Sequence, residues 1–196
     1  MTQKRKRPLQ TVVAVVLVIG LWFAREKGWI AQSDPRTTPQ NTPSHQTSDL
    51  TRLSGRCVSV IDGDTIDVVI DGKKQRVRVL GIDCAETYNK DKAAQQSRTW
   101  NQSPAAVLRL GNAAKAFANE TCYQQDVEVV VGYEGRDDYG RLLAYVEING
   151  VDLGTELLIL GLAEARREPH SRKSNYHDLE RTARSNKLGL WSNSRP

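Results

Sequence analysis

Val60-Ile61-Asp62-Gly63-Asp64-Thr65-Ile66-Asp67-Val68-Val69-Ile70-Asp71-Gly72 is the stretch that decides the fold. Two β-branched runs, 56–61 and 64–70, flank Asp62-Gly63, a pair that favours a two-residue hairpin turn. In the second run Ile66, Val68 and Ile70 share one face, because side chains alternate along a strand. Asp64 has the same parity and is directed to the core side at the mouth of the sheet. An inward carboxylate requires a partner, and a cation is one candidate. Asp62 reads mainly as a turn residue. Asp71-Gly72 makes the next turn, and in a third run at 75–82 Val77 and Val79 alternate with Arg76 and Arg78. Three strands joined by tight turns form a meander.

Downstream, residues 88–104 are polar and irregular around Trp100 and read as a long loop. A helix is predicted from about 104 to 122, with Leu108, Ala114, Phe117 and Ala118 apolar. Strands follow at 126–133 and 141–148, with Asn149-Gly150 as a turn. Further helices are predicted at about 152–160, ended by Gly161, and at about 175–186. Five strands with a helix between the third and fourth predict an α+β domain, a five-stranded OB-fold barrel with three helices.

Upstream, Lys4-Arg5-Lys6-Arg7 precedes Pro8–Ala24, a stretch without charge and densely apolar from Val12. Its length sits at the lower limit for crossing a bilayer, about 17 residues. The basic cluster would hold the N-terminus in the cytoplasm. Cuts after Ala24 or Ala31 would put Trp22 or Trp29 where signal peptidase prefers small residues, which favours a retained anchor over secretion. The expected organisation is a basic cytoplasmic tail (1–8), a signal anchor or transmembrane helix (9–25), a flexible linker (26–52) and a monomeric domain (53–196). The single-pass anchor would leave that domain outside the cytoplasm. The alternative is a domain secreted after cleavage.

The net charge of +5 belongs to the tail: residues 1–52 carry eight Lys/Arg against three Asp/Glu, whereas 53–196 carry 20 of each. The basic pI of about 9.2 is therefore poor evidence for a nucleic-acid partner. Within the domain, the stretch from Ala165 onward is basic, either as a polyanion contact or as a solvated helix face. Cys57, Cys84 and Cys122 make an odd number, consistent with one disulfide and a free thiol or with small core residues. His45, His170 and His177 lie in polar surroundings read as exposed, and no Cys/His spacing matches a zinc site.

The chemistry-bearing residues are carboxylates and arginines. Asp64, Asp83 and Glu86 can hold a hard divalent cation or serve as a base; Arg78 and Arg141 can grip a phosphate. Together they point to metal-assisted hydrolysis of a phosphate ester. The same groups could instead form a buried ion-pair network without metal.

The segments Asp62-Gly-Asp-Thr65, Arg78 through Asp83-Cys-Ala-Glu-Thr87, and Asp138-Tyr-Gly-Arg141 resemble the staphylococcal nuclease family, over about residues 55–193. The resemblance implies an OB-fold enzyme that uses Ca²⁺ to hydrolyse phosphodiester bonds in DNA and RNA. Asp64 and Asp83 match the metal carboxylates, and Cys84 the position whose backbone carbonyl also contacts the metal. Arg78 and Arg141 match the phosphate-binding arginines, Glu86 the general base, and Tyr139 a tyrosine beside the nucleotide phosphate. Three departures stand out. Ala85 replaces a proline, which is expected to loosen the loop carrying Glu86. Residues 88–104 form a longer segment that could cap the site or bind a partner. Ala165-Arg166-Arg167-Glu168-Pro169 stands where the family has tyrosines lining the nucleotide-base pocket, so Arg166 and Arg167 are candidate phosphate contacts. The competing expectation is a non-catalytic OB module that binds nucleic acid or protein.

Overall fold

The computed structural model describes residues 50–193. β1 (Arg52–Asp62) lies between β2 (Thr65–Ile70) and β5 (Asp126–Arg136), antiparallel to both. β3 (Lys73–Val79) pairs with β2, and β6 (Leu142–Ile148) with β5. Parallel pairing of β3 with β6, Val77 to Leu142 and Val79 to Ala144, closes the five strands into a barrel. Closure leaves these strands no long free edge. The Asp71-Gly72 turn has φ of 49° and 74°, the left-handed pair that a tight hairpin demands.

Alternating side chains fill the barrel: Ile66, Val68, Val77, Val79, Val129, Ala144 and Val146 are almost wholly buried. β4 (Ile82–Cys84) leaves the barrel and pairs with β8 (Ala163–Ala165). β7 (Val151–Asp152) extends the edge of β6. The helices are α1 (Lys90–Trp100), α2 (Pro104–Cys122), α3 (Leu153–Ile159) and α4 (Lys173–Ser185). α2 seals the core with Ala114, Ala118 and Cys122, and α3 adds Leu153, Leu157 and Leu158. A short 3₁₀ turn, Gly189–Trp191, buries Leu190 and Trp191 in a second cluster with Ala85, Ala93, Trp100 and Val107.

The domain therefore has four helices among the described residues, one more than the sequence suggests. Most of the loop expected at 88–104 is α1. Its polar composition hides it, because only Ala93 and Trp100 are buried along its length. The caps are local and sufficient: the Asn89 side chain accepts from the Asp91 and Lys92 amides at 3.1 Å, and Asn101 ends the helix at φ 52°. Ser103 then caps α2 ahead of Pro104 at its first turn.

All three cysteines are buried free thiols, so they are core residues and not a disulfide pair. Burial pushes the Cys122 thiol up to about 12. The expected tail, anchor and nearly all of the linker lie outside the described residues. Among the described residues no helix is long and apolar enough to cross a membrane.

Tyr176 of α4 is fully buried, and its hydroxyl donates to Asp152 Oδ2 at 2.5 Å. Asp152 also caps α3 and pairs with Arg172, so this one bond ties α4 to the start of α3. Tyr176→Phe is expected to cost about 1.5–3 kcal/mol in urea unfolding, the range for a hydrogen bond to a charged group. Catalysis should be unchanged in the folded variant.

Candidate active site

β1 ends at Asp62 and β2 starts at Thr65, so the hairpin loop is Gly63-Asp64, one residue later than the sequence suggests. β1 is irregular between Cys57 and Ser59 and between Val60 and Asp62, which shifts its register against β2. At the turn itself a Cβ on Gly63 would lie 2.6 Å from Ala114 Cβ and 2.8 Å from Cys84 Sγ, so only glycine fits. Asp64 is directed inward as its parity predicts and is only 2% exposed. Its Oδ2 accepts the Cys84 amide at 2.7 Å, and its Oδ1 accepts from the Thr65 hydroxyl at 3.1 Å and from Arg78 Nη1.

Arg78 stands opposite Thr65 on β3, at the seam where β3 meets β6. Its Nη2 donates to Asp83 Oδ1 at 2.7 Å. One guanidinium thus spans Asp64 and Asp83; the barrel fixes Arg78 and, beside it, Asp64. Asp83 is held by the β4–β8 pairing, opposite Glu164. Arg166, one residue past β8, brings Nη1 to 4.0 Å from Asp83.

Glu86 follows β4. Its Oε1 accepts the backbone amides of Thr87 at 2.8 Å and Tyr88 at 3.2 Å. Burial opposes its ionisation, yet the Tyr88, Thr87 and Asn89 amides outweigh it and hold the carboxyl below the usual range. Arg141 is set by its own turn. Asp137 Oδ1 accepts the Tyr139 and Arg141 amides, and Oδ2 accepts Arg141 Nε at 2.7 Å. A single cavity of about 470 Å³ is lined by Asp64, Arg78, Asp83, Cys84, Glu86 and Arg141.

A match to the family described as staphylococcal nuclease homologue covers residues 76–193. The chain is 28% identical over 184 residues to a thermonuclease of Staphylococcus hyicus, covering 93% of this chain and 94% of that one. It is 31% identical over 134 residues to a thermonuclease of Staphylococcus intermedius, 67% and 72% of the two chains. An endonuclease of Bacillus subtilis is 36% identical over 137 residues, 68% of this chain and 59% of its own length.

The chain belongs to the staphylococcal nuclease family. The match begins two residues before Arg78, so it takes in Arg78, Asp83, Cys84, Glu86 and Arg141 but not Asp64, which the barrel brings to them.

The geometry refines several expectations for a member of this family. Tyr139 lines the cavity and is 86% exposed, with the Arg141 guanidinium 5.4 Å from its ring centre. Arg166 also lines the cavity, paired with Glu168, whose carboxyl it pulls down to about 2. Arg167 is exposed and outside the cavity lining. His170 is not the exposed residue expected from its polar neighbours. Its Nδ1 lies 3.0 Å from the Tyr145 hydroxyl, and its Nε2 is buried without a partner. The recess exists because Gly81 has no side chain: a Cβ there would sit 2.4 Å from His170 Cε1.

Three participants escape a reading of the sequence. Asp62 lines the cavity and accepts the Asp64 amide at 3.1 Å. Burial pushes its carboxyl up, Thr65 and Arg78 draw it down, and Glu86 raises it again. Asp137 orients Arg141. Gln96, on the unexpected α1, contacts both Cys84 and Glu86. The acidic spacing around the hairpin could have pointed to Asp62, but nothing local marks Gln96.

The loop carrying Glu86 is not left loose by Ala85 in place of proline. Ala85 is 2% exposed, and Gly111 of α2 packs directly on the loop backbone. Glu86 thereby enters the cavity from a backbone held on two sides.

The oxygen donors suit a hard cation. Asp64 and Asp83 reach the same guanidinium, so their carboxylates are close enough to share one positive centre. Among the described residues no three His, Cys, Asp or Glu side chains form a metal cluster by themselves. Two carboxylates, the Cys84 carbonyl and water would make an all-oxygen set, a composition that suits a hard divalent cation, Ca²⁺ or Mg²⁺.

Proposed function

We propose that this nuclease hydrolyses phosphodiester bonds of DNA or RNA with Ca²⁺ held by Asp64, Asp83 and the Cys84 carbonyl. The observation that carries this reading is the Arg78 guanidinium spanning Asp64 and Asp83 at a cavity that also receives Glu86 and Arg141. A bound Ca²⁺ supplies charge neutralisation at a phosphoryl oxygen.

The chain's own residues do the rest. Arg78 and Arg141 face the equatorial oxygens, where negative charge grows during attack. Asp137 keeps Arg141 planar to that position and spends no reorganisation at the moment of reaction. Glu86, ionised because backbone amides stabilise its charge, orients water and takes its proton. Tyr139 and Arg166 border the mouth of the cavity, an aromatic face for a nucleotide and a cation for a neighbouring phosphate. The proposal also places the domain outside the cytoplasmic membrane, on the strength of the basic cluster and apolar stretch near the N-terminus.

Digestion of single-stranded DNA, double-stranded DNA and RNA with Ca²⁺, Mg²⁺ or chelator tests the reading. Cleavage should require Ca²⁺ and fall by roughly 10²–10⁴ in Glu86→Gln, the range for a lost general base. Arg141→Ala should lose about 10²–10³. Cleavage that persists in chelator, or in Glu86→Gln at the native rate, would defeat it.

A further inference from the structure

Gln96 stands on the face of α1 that also carries Ala93 and Trp100, both almost fully buried. Its Nε2 donates to the Cys84 carbonyl at 3.3 Å, and its Oε1 accepts the Glu86 amide at 2.8 Å. The side chain therefore pairs with the backbone on both sides of Ala85, as a neighbouring strand would. Only one orientation of the amide serves, because turning it over would set donor against donor and acceptor against acceptor.

The two backbone groups it holds matter to the chemistry. One is the carbonyl assigned to Ca²⁺, and the other is the amide of the residue that activates water. No strand or turn supplies this pairing, since β4 ends at Cys84.

α1 is itself anchored from remote parts of the chain. Trp100 Nε1 donates to Glu164 Oε2 at 3.0 Å, and Glu164 lies opposite Asp83 in the β4–β8 pair. Beyond the helix, Gln102 Nε2 donates to the Leu190 carbonyl at 2.9 Å. The helix is thus tied to the same small sheet that places Asp83.

We propose that Gln96 is a positioning residue: it sets the Cys84 carbonyl and the Glu86 side chain for catalysis, doing from α1 what a proline at position 85 would do from within the loop. The inference rests on the proposed nuclease function for its kinetic part only.

Gln96→Met keeps the volume and removes both bonds; Gln96→Glu keeps an acceptor for the Glu86 amide and removes the donor to Cys84. Both are compared with the native full chain by steady-state cleavage, thermal melting and amide exchange in the absence of metal. Gln96→Met should lose roughly tenfold to a hundredfold in kcat, the scale of a misplacement of about 1 Å, with KM nearly unchanged. Its Glu86 amide should exchange about tenfold faster, the scale of one net hydrogen bond. Gln96→Glu should retain that protection.

Unchanged Glu86 exchange in Gln96→Met would overturn the clamp, whatever happens to kcat. A rise in KM at constant kcat would instead make Gln96 a substrate contact and also overturn it. If the native chain cleaves nothing, the nuclease reading fails, while the exchange measurement still decides the clamp.

Discussion

Arg78→Lys should lower kcat by roughly 10²–10³, the cost of one lost donor to a developing oxyanion, while the domain stays folded. The reason is shape. Arg78 Nη1 and Nη2 point to different carboxylates, Asp64 and Asp83, and its side chain is only 16% exposed. A lysine ammonium is a point charge that can stay between the two acids but cannot fork across them or present a planar face to phosphate. Asp64 remains compensated in that variant, because the ammonium keeps a positive charge beside it in addition to the Cys84 and Thr65 donors. Removing the charge altogether is different. Arg78→Ala leaves a buried carboxylate unpaired and should destabilise by about 3–5 kcal/mol.

Arg141→Lys provides the control. Arg141 is oriented by Asp137 within its own turn, away from the barrel core. Its replacement should reduce kcat on the same scale and leave the melting temperature unchanged. Steady-state cleavage and thermal melting of the three variants check this set. Activity of Arg78→Lys within about fivefold of native would show that charge alone suffices, contrary to the planar-fork argument.

How much of this was legible follows from the range over which each residue acts. The meander was readable because strand parity and Asp-Gly turns are encoded within a few residues; Asp64 was placed inward by parity alone. The register of its turn is not readable in this way, since it depends on the bulges of β1 between Cys57 and Ser59 and between Val60 and Asp62. α1 is hidden in the sequence because its apolar signal reduces to Ala93 and Trp100, although Asn89 and Asn101 mark its ends. Asp62 reads as a turn residue for the same reason that it serves the site, a carboxylate beside a glycine. Gln96 is invisible locally: its role exists only because Trp100 reaches Glu164, 64 positions away. The family resemblance supplied the identities of Arg78, Glu86 and Arg141, and the fold supplied what holds them.

Gly111→Ala is the second large effect, and it separates stability from activity. Gly111 lies inside α2, where alanine would favour the helix by about 1 kcal/mol. A Cβ at this position would stand 2.2 Å from the Glu86 carbonyl oxygen and 2.5 Å from that of Ala85. Both contacts are to backbone, so no side chain can swing aside; either the helix or the 85–86 loop must move. Overpacking costs about 1–3 kcal/mol, partly offset by the helix gain. The net loss of stability is therefore small, roughly 0–2 kcal/mol. The chemistry has no such offset. α2 is anchored along the barrel by Ala114, Ala118 and Cys122, so the loop yields, and Glu86 moves with it. A shift near 1 Å is enough to cost about 10² in rate. Gly111→Ala should thus melt within a few degrees of native and cleave about a hundredfold more slowly, with Glu86→Gln adding little to the loss. Native activity in Gly111→Ala would mean that the loop accommodates the methyl group without displacing Glu86, and that close packing against α2 is not what sets the catalytic carboxylate.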